Sequence, residues 1–296
     1  MNAADLVAMT RLTNLTAGSH EVKIGLVDGP VALSHPDLEA ARMHLLGDPH
    51  ACRGASDAVR AHGTFVAGML SAMSTSRTPG LCPGCVLLVR PVFCAPASVP
   101  GEMPVATPDE LAAAIVQCVE AGARVLNLSL ALATPTQKGE AALELALNHA
   151  VKRGVIVVAA AGNQGTLGTS CITRHPWVIP VAACDRFGRP MGFTNLGASL
   201  GRRGLCAPGE GISSLGLDGE PVMGSGTSVA VPFVTAAIAL LWSLFPDSSA
   251  GQVQFAVTQG AGAPRRSITP PLLNGWAAYQ SMVKGRVNHA DELSHA

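Results

Sequence analysis

Four polar residues stand where an apolar block of this sequence stops or starts. Asp28 ends the run VKIGLVDG (Val22–Gly29), and His62 opens HGTFVAGML. Asn163 closes GVIVVAAAGN (Gly154–Asn163), and Ser228 lies in SGTSVAVP (Ser225–Pro232), just before a long apolar stretch. Taken singly, each has an ordinary structural use: Asp28 as a turn or cap residue, His62 as a helix cap, Asn163 as a turn residue in GNQG, Ser228 as an N-cap. Taken together they are the parts of an acyl-transfer site. That chemistry needs a hydroxyl nucleophile, a base for its proton, a carboxylate to orient and stabilise the imidazolium, and a donor aimed at the developing oxyanion.

Such residues work only if the elements around them bring them to one place. VKIGLVDG is a short apolar run ending in a turn, the pattern of a strand buried on both faces. VLLVRPVF (Val86–Phe93), RVLNLSL (Arg124–Leu130), GVIVVAAAGN and WVIPVAA (Trp177–Ala183) repeat it. Helical patterns lie between them. TPDELAAAIVQCVEAG begins with Thr107 as cap, Pro108 at the first position and Glu110 at the third, close to a capping box. KGEAALELALNHAVKRG (Lys138–Gly154) ends on Lys, Arg and Gly, a C-terminal signal. The expected fold is α/β: a doubly wound, mostly parallel sheet with helices on both faces. Chemistry in such sheets gathers at the carboxyl ends of the strands. Asp28 and Asn163 stand at two of those ends. His62 is expected in the first turn of one helix and Ser228 at the start of another.

Composition narrows the class. The 296 residues are 48% hydrophobic and 14% charged, with a formal net charge of zero. That balance gives no electrostatic reason to expect nucleic acid or an anionic membrane as partner. The first twenty residues lack the basic and apolar segments of a signal peptide. Val229–Trp242 is shorter than the ~20 residues a bilayer span needs. These features predict a soluble, cytoplasmic protein. Eight cysteines permit disulfides, although a chain of this length does not need them for a core. CPGC (Cys82–Cys85) is one CxxC without a second, and Cys118 falls on an apolar helix face.

Asp28, His62 and Ser228 occur in the chain order found in subtilisin. VDG with SHPDL behind it, HGTFVAG, AAAGN and GTSVAVPFVTA resemble the four signature blocks of the subtilisin-like serine proteases. Asp28 and His62 are 34 residues apart, His62 and Asn163 are 101, and Asn163 and Ser228 are 65, compatible with one uninterrupted domain. The resemblance implies that Asp28 orients, His62 is the base, Ser228 attacks and Asn163 donates to the oxyanion. It also implies a peptide substrate held by Ser129, Leu130 and Ala131 of NLSLAL and by Ala161 and Gly162 of AAAGN, extended along an edge strand around Leu128–Leu132. Gly226 and Thr227 then allow a tight turn, and Pro232 is expected in the first turn of the helix, where its missing donor costs little.

The departures from the family pattern are informative. Only about twenty residues precede the first strand, so residues 1–20 are expected to be a short extension without the usual prodomain. Residues 21–282 are then the protease domain and 283–296 a polar, disordered tail. Asp28 is followed by Gly-Pro where most relatives have a hydroxyl or another small residue and then Gly. Ala131 replaces a glycine at the rim of the first specificity pocket, which predicts a slim residue on the acyl side of the cleaved bond. The family's calcium loop is not visible, and Asp37 alone matches a ligand position; no cofactor is expected, with a structural calcium left open but unsupported. DGPVALSHPDL, PMGFTNLG and LCAPGEGI look most like the proteases that trim precursor peptides of cyanobactins and related ribosomal peptides. General intracellular proteolysis is one alternative, and a catalytically inactive peptide-binding module is another. Macrocyclising relatives carry an inserted helical lid near the triad. Ser34–Ala61 holds no long additional helix and Cys94–Thr107 is too short for one, so a hydrolase releasing linear products is expected.

Overall fold

The computed structural model describes residues 2–48, 50–94, 106–130, 140–259 and 267–294. Two short helices open it, α1 (Ala3–Leu6) and α2 (Met9–Thr13). Then come β1 (Lys23–Asp28), a 3-10 turn at Pro36–Leu38, β2 (Arg42–Leu45), α3 (Asp57–Ser71), β3 (Val86–Pro91), α4 (Pro108–Glu120) and β4 (Val125–Leu128). The middle of the chain forms α5 (Glu140–Lys152), β5 (Ile156–Ala160), α6 (Cys171–Arg174), β6 (Val178–Cys184), α7 (Ala198–Arg203) and β7 (Leu205–Pro208). Last are the hairpin strands β8 (Ile212–Leu215) and β9 (Pro221–Gly224), then α8 (Thr227–Leu244), α9 (Ala250–Gln259) and α10 (Gly275–Ser294).

Seven strands form a parallel sheet in the order β2-β3-β1-β4-β5-β6-β7. The apolar runs belong to strands covered on both faces. Ile24 and Leu26 of β1 point into a core shared with α3 and α8, whereas Val27 points into a second core shared with α4 and α5. Gly25 lets the second layer approach: a methyl there would lie 2.9 Å from Cβ of Cys118 on α4. Cys118 is fully buried, as its apolar helix face predicts, and burial pushes its thiol up to about 12. α4 opens on the expected capping box, with Thr107 and Glu110 satisfying each other's backbone N–H groups. It carries the chain from β3 past β1 to β4, so β1 flanks the point where the strand order reverses. The crevice above that point is where such sheets bind ligands.

The ends of the chain differ from expectation. The described part of the N-terminal extension, residues 2–20, packs into the domain: Val7, Met9 and Leu12 are fully buried, and the Val7 carbonyl accepts from Gly275 N at 2.9 Å. The expected disordered tail is instead the continuation of α10, which runs to Ser294. Arg286 anchors it, stacking over Phe245 at 5.4 Å and pairing with Asp247 at 3.9 Å. Cys52 and Cys94 form a disulfide, and the other six cysteines are free. Among the described residues, one helix, α8, is long and apolar enough to cross a bilayer, and it is the buried core helix of the domain.

Candidate active site

Asp28 is the last residue of β1 and is fully buried. It shares a strand face with Ile24 and Leu26, so its carboxylate turns toward the layer that holds α3 and α8. Its Oδ1 accepts from Gly29 N at 2.6 Å and stands 2.7 Å from His62 Nδ1, while Oδ2 has no protein partner. Nδ1–H therefore donates to the carboxylate, which leaves Nε2 of a neutral imidazole bare and able to accept a proton. α3 starts at Asp57, with Ser56 extended before it, so His62 is in the second helical turn and not the first. Gly63 makes the approach possible, because a methyl there would overlap the Gly29 carbonyl. Burial pulls the imidazole pKa down, the largest single influence. The charge of Asp28 and its hydrogen bond together outweigh it, so His62 lies above its ordinary 6.5.

The tip of β5 is tied to the start of α8. Thr227 N and Thr227 Oγ1 both donate to Asn163 Oδ1, at 2.9 and 3.0 Å, and Thr227 Oγ1 accepts from Gly162 N at 3.2 Å. With Oδ1 taken by two donors, the amide orientation is fixed and Nδ2 is the end offered to a ligand. Gly226 stands at φ +142°, a conformation glycine adopts freely. A methyl there would sit 3.1 Å from Asn163 Nδ2 and 3.5 Å from Ser228 Oγ. Those contacts place the amide donor and the hydroxyl on either side of one small space. Ser228 is the second residue of α8, where the helix dipole favours negative charge; Thr227 N, Val229 N and Ala230 N already donate to Asn163 or Gly226, which leaves the Ser228 N–H to meet an anion. The role of Thr227 in orienting Asn163 was not read from sequence; its hydroxyl between Gly226 and Ser228 was the available signal.

A buried Asp–His pair, a serine at a helix N-terminus and an oriented amide beside it constitute the chemistry of acyl transfer. Residues 19–286 match the sequence pattern of the subtilase family. The chain belongs to the subtilase family. Subtilisin DY of Bacillus licheniformis is 31% identical over 240 residues, 79% of this chain and 81% of that protein. The thermostable alkaline protease of Halalkalibacterium halodurans is 30% identical over 244 residues, 81% of this chain but 62% of that longer protein. Among solved structures, the prenylagaramide maturation protease PagA superposes with a TM-score of 0.81 at 28% identity, covering 92% of this chain and 97% of PagA. A mutant of the protease domain of PatA gives 0.80 at 30% identity, covering 90% and 97%. The protein is a subtilisin-like serine protease, a hydrolase of peptides, and its structural neighbours include cyanobactin maturation proteases, the type that its motifs resemble.

The remaining expected residues of this subtilase fall as follows. Ser129 and Leu130 continue from the tip of β4, and Ala161 and Gly162 from the tip of β5; the two tips are adjacent because Leu128 pairs with Ala159. All four are buried. Ala131, and with it the reading of a slim specificity pocket, lies outside the described residues. Of the expected substrate-pairing run Leu128–Leu132, Leu128 is the last residue of β4, which lies between β1 and β5, Ser129 and Leu130 follow it, and residues 131 and 132 lie outside the described residues. Pro232 is displaced from expectation, at the sixth position of α8 and so beyond its first turn.

Asp37 is tied to the loop that follows α3: its Oδ2 accepts from Ser76 Oγ at 2.6 Å and its carbonyl from Met73 N at 3.0 Å. Among the described residues, no group of three or more His, Cys, Asp or Glu could hold a metal. Cys82 and Cys85 are buried against each other, and their hydrogen bond pushes the Cys82 thiol up.

Proposed function

We propose that this subtilase cleaves a ribosomally made precursor peptide and releases linear products. In this reading Ser228 Oγ attacks the scissile carbonyl while His62 Nε2 takes its proton, and Asp28 holds the imidazolium that forms. The oxyanion is met by Asn163 Nδ2 and the backbone N–H of Ser228. Collapse breaks the C–N bond, with His62 returning its proton to the leaving amine. Water, deprotonated by the same imidazole, then attacks the ester and frees Ser228. The chemistry needs no cofactor. Substrate is taken in extended form across the tips of β4 and β5.

The observation that carries the substrate class is the similarity to PagA and the PatA protease domain over nearly their whole length. Release of linear product rests on the segment between Asp28 and α3. Its described residues hold only the turn at Pro36–Leu38 and β2 as regular elements, which supports access of water to the acyl-enzyme; the Cys94–Thr107 loop of the same expectation lies largely outside the described residues. Similarity to subtilisin DY favours a second reading, general proteolysis. A peptide library made from a digested proteome separates the two. Cleavage at one narrow motif supports precursor maturation, and broad cleavage supports general proteolysis. Linear products together weigh one water more than their substrate, whereas a dominant cyclic product overturns the hydrolytic part of the proposal.

A further inference from the structure

α8 carries a proline at its sixth position. In a regular helix the N–H of residue 232 donates to the carbonyl of residue 228. Proline has no N–H, and its ring crowds that carbonyl. The carbonyl deprived of its helical donor thus belongs to Ser228 itself. A buried carbonyl with no donor is expensive, so the donor must come from elsewhere.

It comes from the sheet. Ser129 Oγ donates to the Ser228 carbonyl at 3.1 Å. The hydroxyl is aimed by its own partner: Asn127 Nδ2 donates to Ser129 Oγ at 2.6 Å, leaving the serine hydrogen free to point at Ser228. Asn127 is aimed in turn by Thr235 Oγ1, which donates to its Oδ1 at 2.9 Å. Asn127 and Thr235 are fully buried and Ser129 is 3% exposed. Asn127 and Ser129 share one face of the β4 run, and Thr235 lies two turns beyond Ser228 on α8. The polar chain therefore leaves the nucleophile helix at Thr235, passes through Asn127 of β4 and Ser129 just beyond its tip, and returns to the same helix at the nucleophile. Each side chain donates to the next, so the bonds run in one direction from Thr235 to the Ser228 carbonyl.

We propose that Ser129 is a positioning residue: its hydroxyl supplies the hydrogen bond that Pro232 cannot, and Asn127 and Thr235 aim it, so the backbone of Ser228 is locked to the β4 tip. The consequence is that the nucleophile is registered against the sheet that receives the substrate, and not only against its own helix.

The test uses the full chain, a peptide that the wild-type enzyme cleaves, and the rate of inactivation by a fluorophosphonate. Ser129→Ala removes the donor. It is expected to lower kcat and the inactivation rate about tenfold, with KM within about twofold, since one hydrogen bond to a buried carbonyl corresponds to about a factor of ten. Ser129→Thr keeps the hydroxyl and is expected to retain both rates. The deciding variant is Ser129→Ala combined with Pro232→Ala, which returns a backbone N–H to the Ser228 carbonyl and is expected to recover most of the loss. A role in packing alone predicts the reverse, because the second substitution removes further contacts. Thr235→Val, which keeps the side-chain shape, is expected to give a smaller fall in kcat with KM unchanged, and provides a reading if Ser129→Ala does not fold. An unchanged kcat in Ser129→Ala, a double variant no faster than Ser129→Ala, or a Thr235→Val effect confined to KM overturns the proposal.

Discussion

Asp28→Asn isolates the carboxylate from everything else in the site. Asp28 Oδ1 serves two donors, His62 Nδ1 at 2.7 Å and Gly29 N at 2.6 Å, while Oδ2 has none. An amide fits this space in two ways. With its oxygen in the Oδ1 position, the NH2 group points to the Oδ2 position, where the protein offers no acceptor. Turned over, the NH2 group faces His62 Nδ1 and forces the tautomer that carries its hydrogen on Nε2, which leaves no base for Ser228. Loss of the carboxylate in a triad of this design lowers kcat about ten-thousand-fold, or about 5.5 kcal/mol of transition-state stabilisation. The pH profile gives a second, independent readout. The charge and hydrogen bond of Asp28 are what raise His62 above 6.5 against the opposing effect of burial. The active form is neutral imidazole, so kcat/KM rises with pH through the His62 pKa of the free enzyme. In the wild type that limb is expected above pH 6.5; in Asp28→Asn only burial remains, and the limb moves below it. The assay is kcat/KM for a chromogenic peptide between pH 4.5 and 9 for both proteins. A plateau within tenfold of wild type, or a limb that does not move down, refutes the assignment of Asp28 as the partner that holds His62.

Asn163→Ala is expected to lower kcat by about a hundred- to a thousand-fold with little change in KM, the signature of a donor used in the transition state; a rise in KM alone makes Asn163 a binding residue. Gly226→Ala places a methyl 3.1 Å from Asn163 Nδ2 and a side chain on a glycine-only conformation. It should lower kcat and also lower stability by about 1–3 kcal/mol, read by denaturant titration. Activity should survive EDTA, because Asp37 is engaged by Ser76 and Met73; a fall restored by calcium contradicts this. Thiol titration of the denatured, unreduced chain should count six free cysteines, with Cys52 and Cys94 appearing only after reduction.

Much of the fold was legible in the sequence because its signals are local. The runs that became β1, β3, β4, β5 and β6 are apolar throughout, as strands covered on both faces must be, and the capping box at Thr107 announces α4. β2 was missed because RMHL lies at the sheet edge and is largely exposed, so it carries no apolar run. The hairpin strands β8 and β9 are four residues each, with Val222 and Met223 exposed. The start of α3 was placed five residues late because Asp57–Ala61 is only intermittently apolar, although Ser56 is a fair N-cap signal. At the site, Asp28, His62, Asn163 and Ser228 were readable as the ends of apolar blocks. The Thr235–Asn127–Ser129 chain was not, since it joins residues about a hundred positions apart. Its one trace is Asn127 and Ser129 at alternate positions of an otherwise apolar strand, a polar pair where the core has no water to satisfy it.

Ser228 is the proposed nucleophile of this serine protease. A fluorophosphonate forms a P–O bond to an activated serine and releases fluoride, so intact mass followed by peptide mapping locates the attacking oxygen. The prediction is one adduct per chain, on the peptide containing Ser228, with labelling that increases with pH through the His62 limb and is absent from Ser228→Ala. An adduct on another residue, or no labelling of a folded wild-type protein, contradicts it.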